Sequence, residues 1–455
     1  MASLLRQLAD RMRDASSGGV STGASLARNA GWLILDRGVR FLLVFATGIL
    51  VLRHLGPTDA GRLGNALALA AILAGFCDLG LDPIIRLEVL RDPERRNTLL
   101  GTAAGLRLLC VPVLFLAYAL LLAREPADVR NIGLLLGVGA TLASPVALTL
   151  DSWFQSQTQA KYSVWGQTGG LFAGAVFRLI GVALGASLAW FGWAAGLEFV
   201  LGGLLMAWLY RRTADTRHWQ FSRQTAGRLL AGSWSLALTN LAVLVYTRVD
   251  VVLLSLWRGE HDTGIYAAAV RLTELGYIMP MILVNTFFPL LARTFREDKP
   301  AFDRTLSRLF AVAGWGGLAT GLFLSVGAPL WIRLLYGPAY AETTLVLVIS
   351  AWNAVFAGLG AVRSQWLVLH GYQRYGLFYV GMGAVLNLCL NAVLIPRQGP
   401  VGAAISALIT QAVIVVIAPL FFRETRPSVA LLLTSLLGSG WRKPADTTPR
   451  APCPK

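Results

Sequence analysis

Fourteen ionisable side chains lie inside long apolar stretches of this 455-residue chain or directly at their ends. Eight are arginines and six are carboxylates: Asp36, Arg37, Arg40, Asp78, Arg107, Asp151, Arg178, Glu198, Arg248, Asp250, Arg271, Glu274, Arg308 and Arg363. A charge near the centre of a bilayer costs at least about 2.5 kcal/mol, so each of them should face a cavity or a partner. Arginine keeps its charge in a partly dry site and can bind a phosphate with two parallel donors, so this choice of base favours an anionic head group as ligand.

Four of these arginines are predicted to lie at a similar depth near the inner boundary of the membrane. Arg37 and Arg40 share a helix face at a spacing of three residues, about 10 Å from that boundary, and Arg107 and Arg363 fall at a comparable height. The spacing therefore predicts an inner basic cluster. An alternative stays open for one member, because Asp36 and Arg40 are four residues apart and could pair with each other.

A second group is predicted about 10 Å from the outer boundary. Arg248 and Asp250 belong to the seventh apolar stretch, and Arg271 and Glu274 belong to the eighth. The four side chains could meet at one level. Arg271 and Glu274 are also three residues apart and could simply neutralise each other, whereas Arg248 has no acid three or four residues away.

Composition indicates the elements that must position these groups. Apolar residues make up 55% of the chain and charged residues 14%, against about 25% in a soluble domain. A hydrocarbon core about 30 Å thick requires about 20 apolar helical residues, and such runs occur twelve times. We place them at residues 31–52, 63–81, 99–123, 132–154, 162–190, 193–210, 234–257, 265–291, 309–332, 345–369, 377–395 and 401–421. The sequence thus predicts an all-α polytopic membrane protein with twelve transmembrane helices.

The loops between these spans alternate in charge. With both termini and every even-to-odd loop on the cytoplasmic side, 25 of the 40 Lys and Arg residues lie there and 7 lie outside. This is the distribution of the positive-inside rule, so the net charge of +16 reports topology and no nucleic-acid partner is expected.

A repeated motif divides the spans into two halves. Gly56-Pro-Thr-Asp-Ala-Gly61 follows the first span, and Gly259-Glu-His-Asp-Thr-Gly264 follows the seventh, 203 residues later. Equivalent motifs six helices apart predict two parallel six-helix repeats. The predicted domains are a cytoplasmic segment (1–30), an N-lobe (31–210), a basic cytoplasmic linker (211–230), a C-lobe (231–422) and a cytoplasmic tail (423–455).

Sequence signatures of catalysis are missing. The chain has no phosphate-binding G-x-x-x-x-G-K-[ST] motif, and its four histidines are scattered, so neither a cofactor nor a metal is predicted. The predicted outer loops, about a dozen residues or fewer, leave little room for the catalytic loop of a membrane polymerase. Transport by alternating access is the large class that remains.

Several segments resemble one transporter family. Trp234-Ser-Leu-Ala-Leu-Thr, Tyr246-Thr-Arg-Val-Asp250, Gly264-Ile-Tyr-Ala-Ala-Ala-Val-Arg271, Tyr336-Gly-Pro-Ala-Tyr340 and Asn387-Leu-Cys-Leu-Asn391 are similar to the Wzx-type polysaccharide repeat-unit flippases. With the segment from His54 to Gly61, the likeness extends over roughly residues 30–420. These flippases belong to the multidrug, oligosaccharidyl-lipid and polysaccharide exporter superfamily.

The resemblance implies two pseudo-symmetric lobes around a central cavity, as in multidrug (MATE) exporters, with helices one, two, seven and eight lining it. It implies an undecaprenyl-pyrophosphate-linked oligosaccharide as substrate, taken from the cytoplasmic to the periplasmic leaflet of the bacterial inner membrane for surface polysaccharide assembly. Membrane lipids, a polysaccharide polymerase and a chain-length regulator are the other implied partners. By position, the family's cavity arginines and its acidic residue of helix seven correspond to Arg37, Arg40, Arg248 and Asp250.

Our hypothesis assigns each of these groups a role. Substrate binding is assigned to Arg37, Arg40, Arg248, Arg271 and Arg363, and ion coupling to Asp250 and Glu274, with a proton or sodium gradient as the energy source. The rival hypotheses are a lipid II flippase and a multidrug cation antiporter. The antiporter would favour acids over arginines in its cavity.

Overall fold

The computed structural model describes residues 22–122, 129–157, 159–213 and 219–436. Within these ranges the chain forms helices and turns, with no β-strand, so the predicted all-α class is confirmed. Residues 1–47 and 48–455 form two compact units, which are described separately.

The described ranges contain α-helices that we number in chain order. They are α1 Thr22–Asp78, α2 Leu81–Arg91, α3 Arg96–Leu122, α4 Val129–Gly139, α5 Ser144–Ser156, α6 Ala160–Ala183, α7 Leu188–Thr213, α8 Arg223–Arg258, α9 Glu260–Thr273, α10 Leu275–Glu297, α11 Lys299–Val326, α12 Ala328–Leu335, α13 Thr343–Ser350, α14 Asn353–Leu369, α15 Gln373–Gln398, α16 Pro400–Ala412 and α17 Arg426–Leu436. A π-helical turn, Val413–Ile417, extends α16.

Nine helical segments of the described residues are long and apolar enough to cross a membrane. One of them, Arg40–Arg91, contains the predicted span 63–81 and the larger part of the predicted span 31–52, and the remaining predicted spans fall largely on helices. The protein is therefore a polytopic membrane protein, while the number twelve stays a prediction.

Some predicted spans run past the end of a helix. The predicted span 162–190 runs past the end of α6 at Ala183 and through a turn in which Gly185 has a φ of 66°. Similarly, the predicted span 309–332 runs past the end of α11 at Val326 into α12. Apolar residues continue through both turns, so a count of hydropathy does not detect them.

The two copies of the repeated motif start with the same backbone conformation. Gly56 has φ 73° and ψ 172°, and Gly259 has φ 90° and ψ −178°. A residue with a Cβ rarely adopts this conformation, which explains why glycine stands at both positions. Gly56 divides α1 into two helical parts, and Gly259 separates α8 from α9.

These motifs pack directly against each other. Gly61 lies against the backbone carbonyl of Glu260, and Gly264 lies against the backbone carbonyl of Pro57. Neither position has room for a Cβ. Pro57 and Glu260 are themselves 203 residues apart, as are Gly61 and Gly264, so the contact is reciprocal: each repeat presents the same two positions to the other.

Helix α8 is the longest of the second half and joins both halves. Ser222 caps it by accepting a hydrogen bond from the Thr225 amide at 3.3 Å, so it begins at Arg223, inside the predicted linker 211–230. It packs against α9 and α15 and also against α2 and α3. Leu229, near its start, is buried in the hydrophobic cluster of the first half.

The apolar cores fall separately in the two halves. The first half has one cluster around Leu81, Leu100 and Phe154 and another around Tyr118 and Leu142. The second half is organised around a large cluster that includes Phe302, Phe310, Trp366, Tyr379, Val415 and Leu432. Leu432 belongs to α17, which packs against α11.

Candidate functional site

Arg248 is an exposed arginine on α8. On the same helix Ala237 lies against Gly80, and Leu241 and Leu244 lie against Gly75. Residues three and four apart share a helix face, so Arg248 lies one turn beyond Leu244 on the face that packs against the first half. Among the described residues, no hydrogen-bond or ion-pair partner contacts its guanidinium. Its charge is therefore available to a ligand.

Asp250 has the opposite environment, because its side chain is buried. One carboxylate oxygen accepts a hydrogen bond from the Val251 amide at 2.9 Å, and the other accepts one from the Tyr266 hydroxyl on α9. Within the described part of the chain, no cation forms an ion pair with Asp250. A carboxylate held only by neutral donors is well suited to take up a proton or a small cation.

Arg271 and Glu274 form an ion pair with each other. Arg271 Nη1 lies 3.4 Å from Glu274 Oε2, and the two side chains are 24% and 32% exposed. Neither forms a hydrogen bond or ion pair with Arg248 or Asp250 in the described structure, so a common level for the four side chains stays a prediction. The alternative pairing within one helix is the arrangement observed.

The first two predicted binding residues belong to the N-terminal unit. The side chains of Asp36 and Arg37 lie outside the described residues, so the predicted contacts of these two side chains also lie outside them. Arg40 is partly exposed on α1 and already has an interaction partner. The roles assigned to Arg37 and Arg40 stay predictions.

Arg363 is buried in the large cluster of the second half, with 3% of its surface exposed. Its Nη1 donates a hydrogen bond to the carbonyl of Val415, which lies in the π-helical turn. No partner is found within the described residues for its Nε and Nη2 atoms. In this conformation Arg363 does not face water, so a ligand would reach it only after a rearrangement.

The prediction that Arg107 belongs to the inner basic cluster is wrong. Arg107 is fully buried, and its Nη2 lies 3.0 Å from Asp78 Oδ1 and 2.7 Å from Asp82 Oδ1. Its Nη1 also donates to Thr149 at 2.9 Å. Two carboxylates therefore neutralise this guanidinium, and the group joins α1, α2, α3 and α5 as a structural centre.

This centre extends to the second half through a residue that the sequence analysis did not select. The amide of Asn240 on α8 donates to Asp78 Oδ2 at 3.0 Å. Asn240 carries no charge, so a search for ionisable groups misses it. Asp82 was missed for another reason, because the predicted span 63–81 ended one residue too early; its spacing of four residues from Asp78 was the available signal.

Arg178 and Arg308, the two remaining intramembrane arginines, differ in whether a carboxylate neutralises them. Arg178 Nη2 lies 2.6 Å from Glu198 Oε2 and is neutralised. Arg308 is exposed on α11, and the described residues provide it with no partner. The described ranges contain no group of three or more His, Cys, Asp or Glu side chains that could hold a metal ion.

Several known proteins are similar to this chain. The putative O-antigen transporter of Escherichia coli is 20% identical over 422 residues, which cover 88% of this chain and 98% of that protein. The capsular polysaccharide biosynthesis protein CapF of Staphylococcus aureus is 20% identical over 423 residues, which cover 88% of this chain and 100% of that protein. The succinoglycan biosynthesis transport protein ExoT of Rhizobium meliloti is 24% identical over 370 residues, which cover 80% of this chain and 71% of that protein.

Solved structures share the fold. The lipid II flippase MurJ in an inward closed conformation gives a TM-score of 0.72 at 14% identity, covering 89% of this chain and 90% of that one. An inward-facing MATE transporter of the MOP superfamily gives a TM-score of 0.66 at 18% identity, covering 87% of this chain and 96% of that one. These likenesses confirm the predicted MATE-like fold. Residues 26–295 match the family described as polysaccharide biosynthesis protein, and since this is more than half of its length, the chain belongs to that family.

Proposed function

We propose that this protein is a flippase that moves undecaprenyl-pyrophosphate-linked oligosaccharide repeat units from the cytoplasmic to the periplasmic leaflet. Its relatives include proteins named for O-antigen transport and succinoglycan transport, so it acts as a transporter and not as an enzyme. The observation that carries the proposal is the exposed guanidinium of Arg248, which has no carboxylate partner among the described residues. A pyrophosphate is the complementary ligand for such a group.

In the proposed mechanism, Arg37 and Arg40 receive the pyrophosphate first, and Arg248 holds it next. The sugars occupy a water-filled cavity between the lobes 31–210 and 231–422, and the polyprenyl tail remains in lipid. Rocking of the lobes about the linker 211–230 then exposes the head group on the other side. In this arrangement the charged head group stays in the water-filled cavity, so it does not have to cross hydrocarbon, which would be costly.

Asp250 is the proposed site of ion coupling. It is buried, its hydrogen-bond donors Val251 and Tyr266 are neutral, and no arginine of the described structure forms a direct ion pair with it. Uptake of a proton or a sodium ion would neutralise the Asp250 carboxylate. It would thereby favour one of two arrangements in which α8 packs against α9. Glu274 is the weaker candidate, because Arg271 already pairs with it.

A lipid II flippase is the second candidate, favoured by the structural likeness to MurJ. Its substrate also carries a pyrophosphate, so Arg248 would have the same role, and only the sugar-bearing part would differ. A multidrug cation antiporter fits less well, because an exposed arginine would repel a cationic drug.

The proposed location is the bacterial inner membrane, which the family resemblance implies, with both termini in the cytoplasm, as the alternation of basic loops predicts. A flippase in that position would deliver its product to a polysaccharide polymerase and a chain-length regulator. These two proteins are therefore the proposed functional partners.

The test replaces Arg248 with alanine and with lysine in cells whose surface polysaccharide depends on this gene. We expect Arg248→Ala to abolish the polymer at normal protein levels and to weaken binding of a defined lipid-linked oligosaccharide to the purified protein. Arg248→Lys should retain part of both, since it keeps the charge but loses the bidentate geometry. Arg308→Ala is the matched control, because Arg308 is also exposed and without a partner in the described structure.

Normal polymer and unchanged binding in Arg248→Ala would refute the role of Arg248. Tighter binding of lipid II than of lipid-linked oligosaccharide by the wild-type protein would favour the second candidate.

A further inference from the structure

A groove in the first half contains none of the charged residues of the candidate site, such as Arg248 and Asp250. It has a volume of about 510 Å³ and is lined by α3, α5 and α7. Small side chains form its floor, including Ala104, Ala143, Ala147 and Gly203. This is the size and character of a site for an apolar ligand.

The groove is open to the surroundings of the helices. Leu108 and Leu204 line it and are 60% and 61% exposed. Both residues belong to segments that can cross a membrane, Pro93–Leu122 and Leu188–Thr213. In a membrane such exposed leucines face acyl chains, so the ligand would enter from the lipid.

The polar end of the groove is formed by Arg211 and Trp219. Arg211 is exposed, and within the described residues no carboxylate pairs with it. From Phe199, which also lines the groove, to Arg211 the helix α7 rises about 18 Å. One leaflet of the hydrocarbon core is about 15 Å thick, so the groove matches one lipid chain with its head group at Arg211.

We propose that this groove binds one acyl chain of an anionic phospholipid, whose phosphate is held by Arg211. The charge of Arg211 selects an anionic over a zwitterionic head group, and the small residues admit the chain. Arg211 begins the predicted basic linker, and basic pockets between transmembrane helices on the cytoplasmic side are suited to anionic lipids. This proposal does not rest on the substrate of the transporter.

The experiment measures lipid retained by the full-length protein, purified in detergent with equal amounts of phosphatidylglycerol and phosphatidylcholine, by native mass spectrometry. We expect the wild type to retain phosphatidylglycerol preferentially. Arg211→Gln should reduce that preference about fivefold, the effect of one basic residue near a lipid surface. Arg212→Gln is the matched control, because the neighbouring Arg212 stacks on Trp208 and does not line the groove.

Gly203→Leu tests the groove itself. A Cβ at Gly203 would lie 3.2 Å from the Cβ of Ala147, so a leucine there would fill the space that the chain needs. We expect this variant to lose both lipids, and Ala143→Leu gives the same test if Gly203→Leu does not fold. Inorganic phosphate alone should not displace the bound lipid, since the chain supplies part of the binding.

Equal retention of the two lipids by the wild type would overturn the proposed role of Arg211. Unchanged retention in both groove-filling variants would overturn the groove as the binding site. A similar loss of preference in Arg212→Gln would show that the general positive charge of the linker, and not this site, attracts the lipid.

Discussion

Arg248 and Asp250 stand two residues apart on α8 and have opposite surroundings. Arg248 is exposed on the face that continues the contact with the first half, and Asp250 is buried against Tyr266 of α9. Residues two apart on a helix do not face each other, so the two charges do not neutralise one another by a direct contact. One helix thus carries an exposed cation and, two residues later, a carboxylate that is buried against its neighbouring helix.

Asp250→Asn tests whether ion coupling depends on Asp250 while substrate binding does not. Asparagine has nearly the same shape and can still interact with Tyr266 and the Val251 amide, so stability should change by less than about 1.5 kcal/mol. We expect substrate binding to be retained and the response of transport to a proton or sodium gradient to be lost. Transport by the purified protein in vesicles, with and without each gradient, measures this. A full response to the gradient in Asp250→Asn would exclude Asp250 as the coupling residue.

Arg107→Ala should be strongly destabilising. It leaves Asp78 and Asp82 without their buried counter-charge, and breaking such a group typically costs about 3–5 kcal/mol. Thermal unfolding of the purified protein measures the loss. The control is Arg293→Ala, which breaks the exposed pair with Glu297 and should cost about 1 kcal/mol or less. Equal effects of the two substitutions would mean that the buried centre is not structural.

Gly61→Ala should disturb the contact between the two repeated motifs. The new Cβ would overlap the Glu260 carbonyl, and forcing an extra methyl group into a packed site costs about 1–3 kcal/mol. Gly227→Ala on α8 is the control, because nothing lies within 4 Å of a Cβ there, and it should stabilise the helix by about 0.5–1 kcal/mol. Opposite shifts of the melting temperature are the expected result. A neutral Gly61→Ala would show that the two motifs separate easily.

Arg363→Met distinguishes a structural from a binding role. Two donors of Arg363 have no partner among the described residues, so an apolar side chain of similar length should leave the melting temperature unchanged or raise it. If transport also stays normal, Arg363 takes no part in binding; a stable variant without transport would assign it to the substrate. A marked drop in melting temperature would contradict the view that its burial is unfavourable.

Much of the fold could be predicted because it depends on local properties. Apolar runs, basic loops and the spaced glycines of residues 56–61 and 259–264 are all readable from the chain. Helix ends were less accurate, since α6 ends at Ala183 in a turn that is itself apolar. The start of α8 inside the linker depends on the cap at Ser222 and on the burial of Leu229, and both are tertiary effects that hydropathy does not contain.

The candidate site was harder to predict because it depends on partners from other helices. Spacing within one helix predicted the pair of Arg271 with Glu274 as an alternative, and this pair is present. Depth alone grouped Arg107 with other arginines, although two carboxylates from α1 and α2 neutralise it. Which charge is free and which is paired follows from helix packing, and only the structure provides that information.

The packing of Gly61 on Glu260 and of Gly264 on Pro57 has the form of a two-fold interface. The same pair of positions meets twice, once from each motif, so the two contacts are equivalent by position. A displacement of one motif relative to the other would therefore open both contacts together.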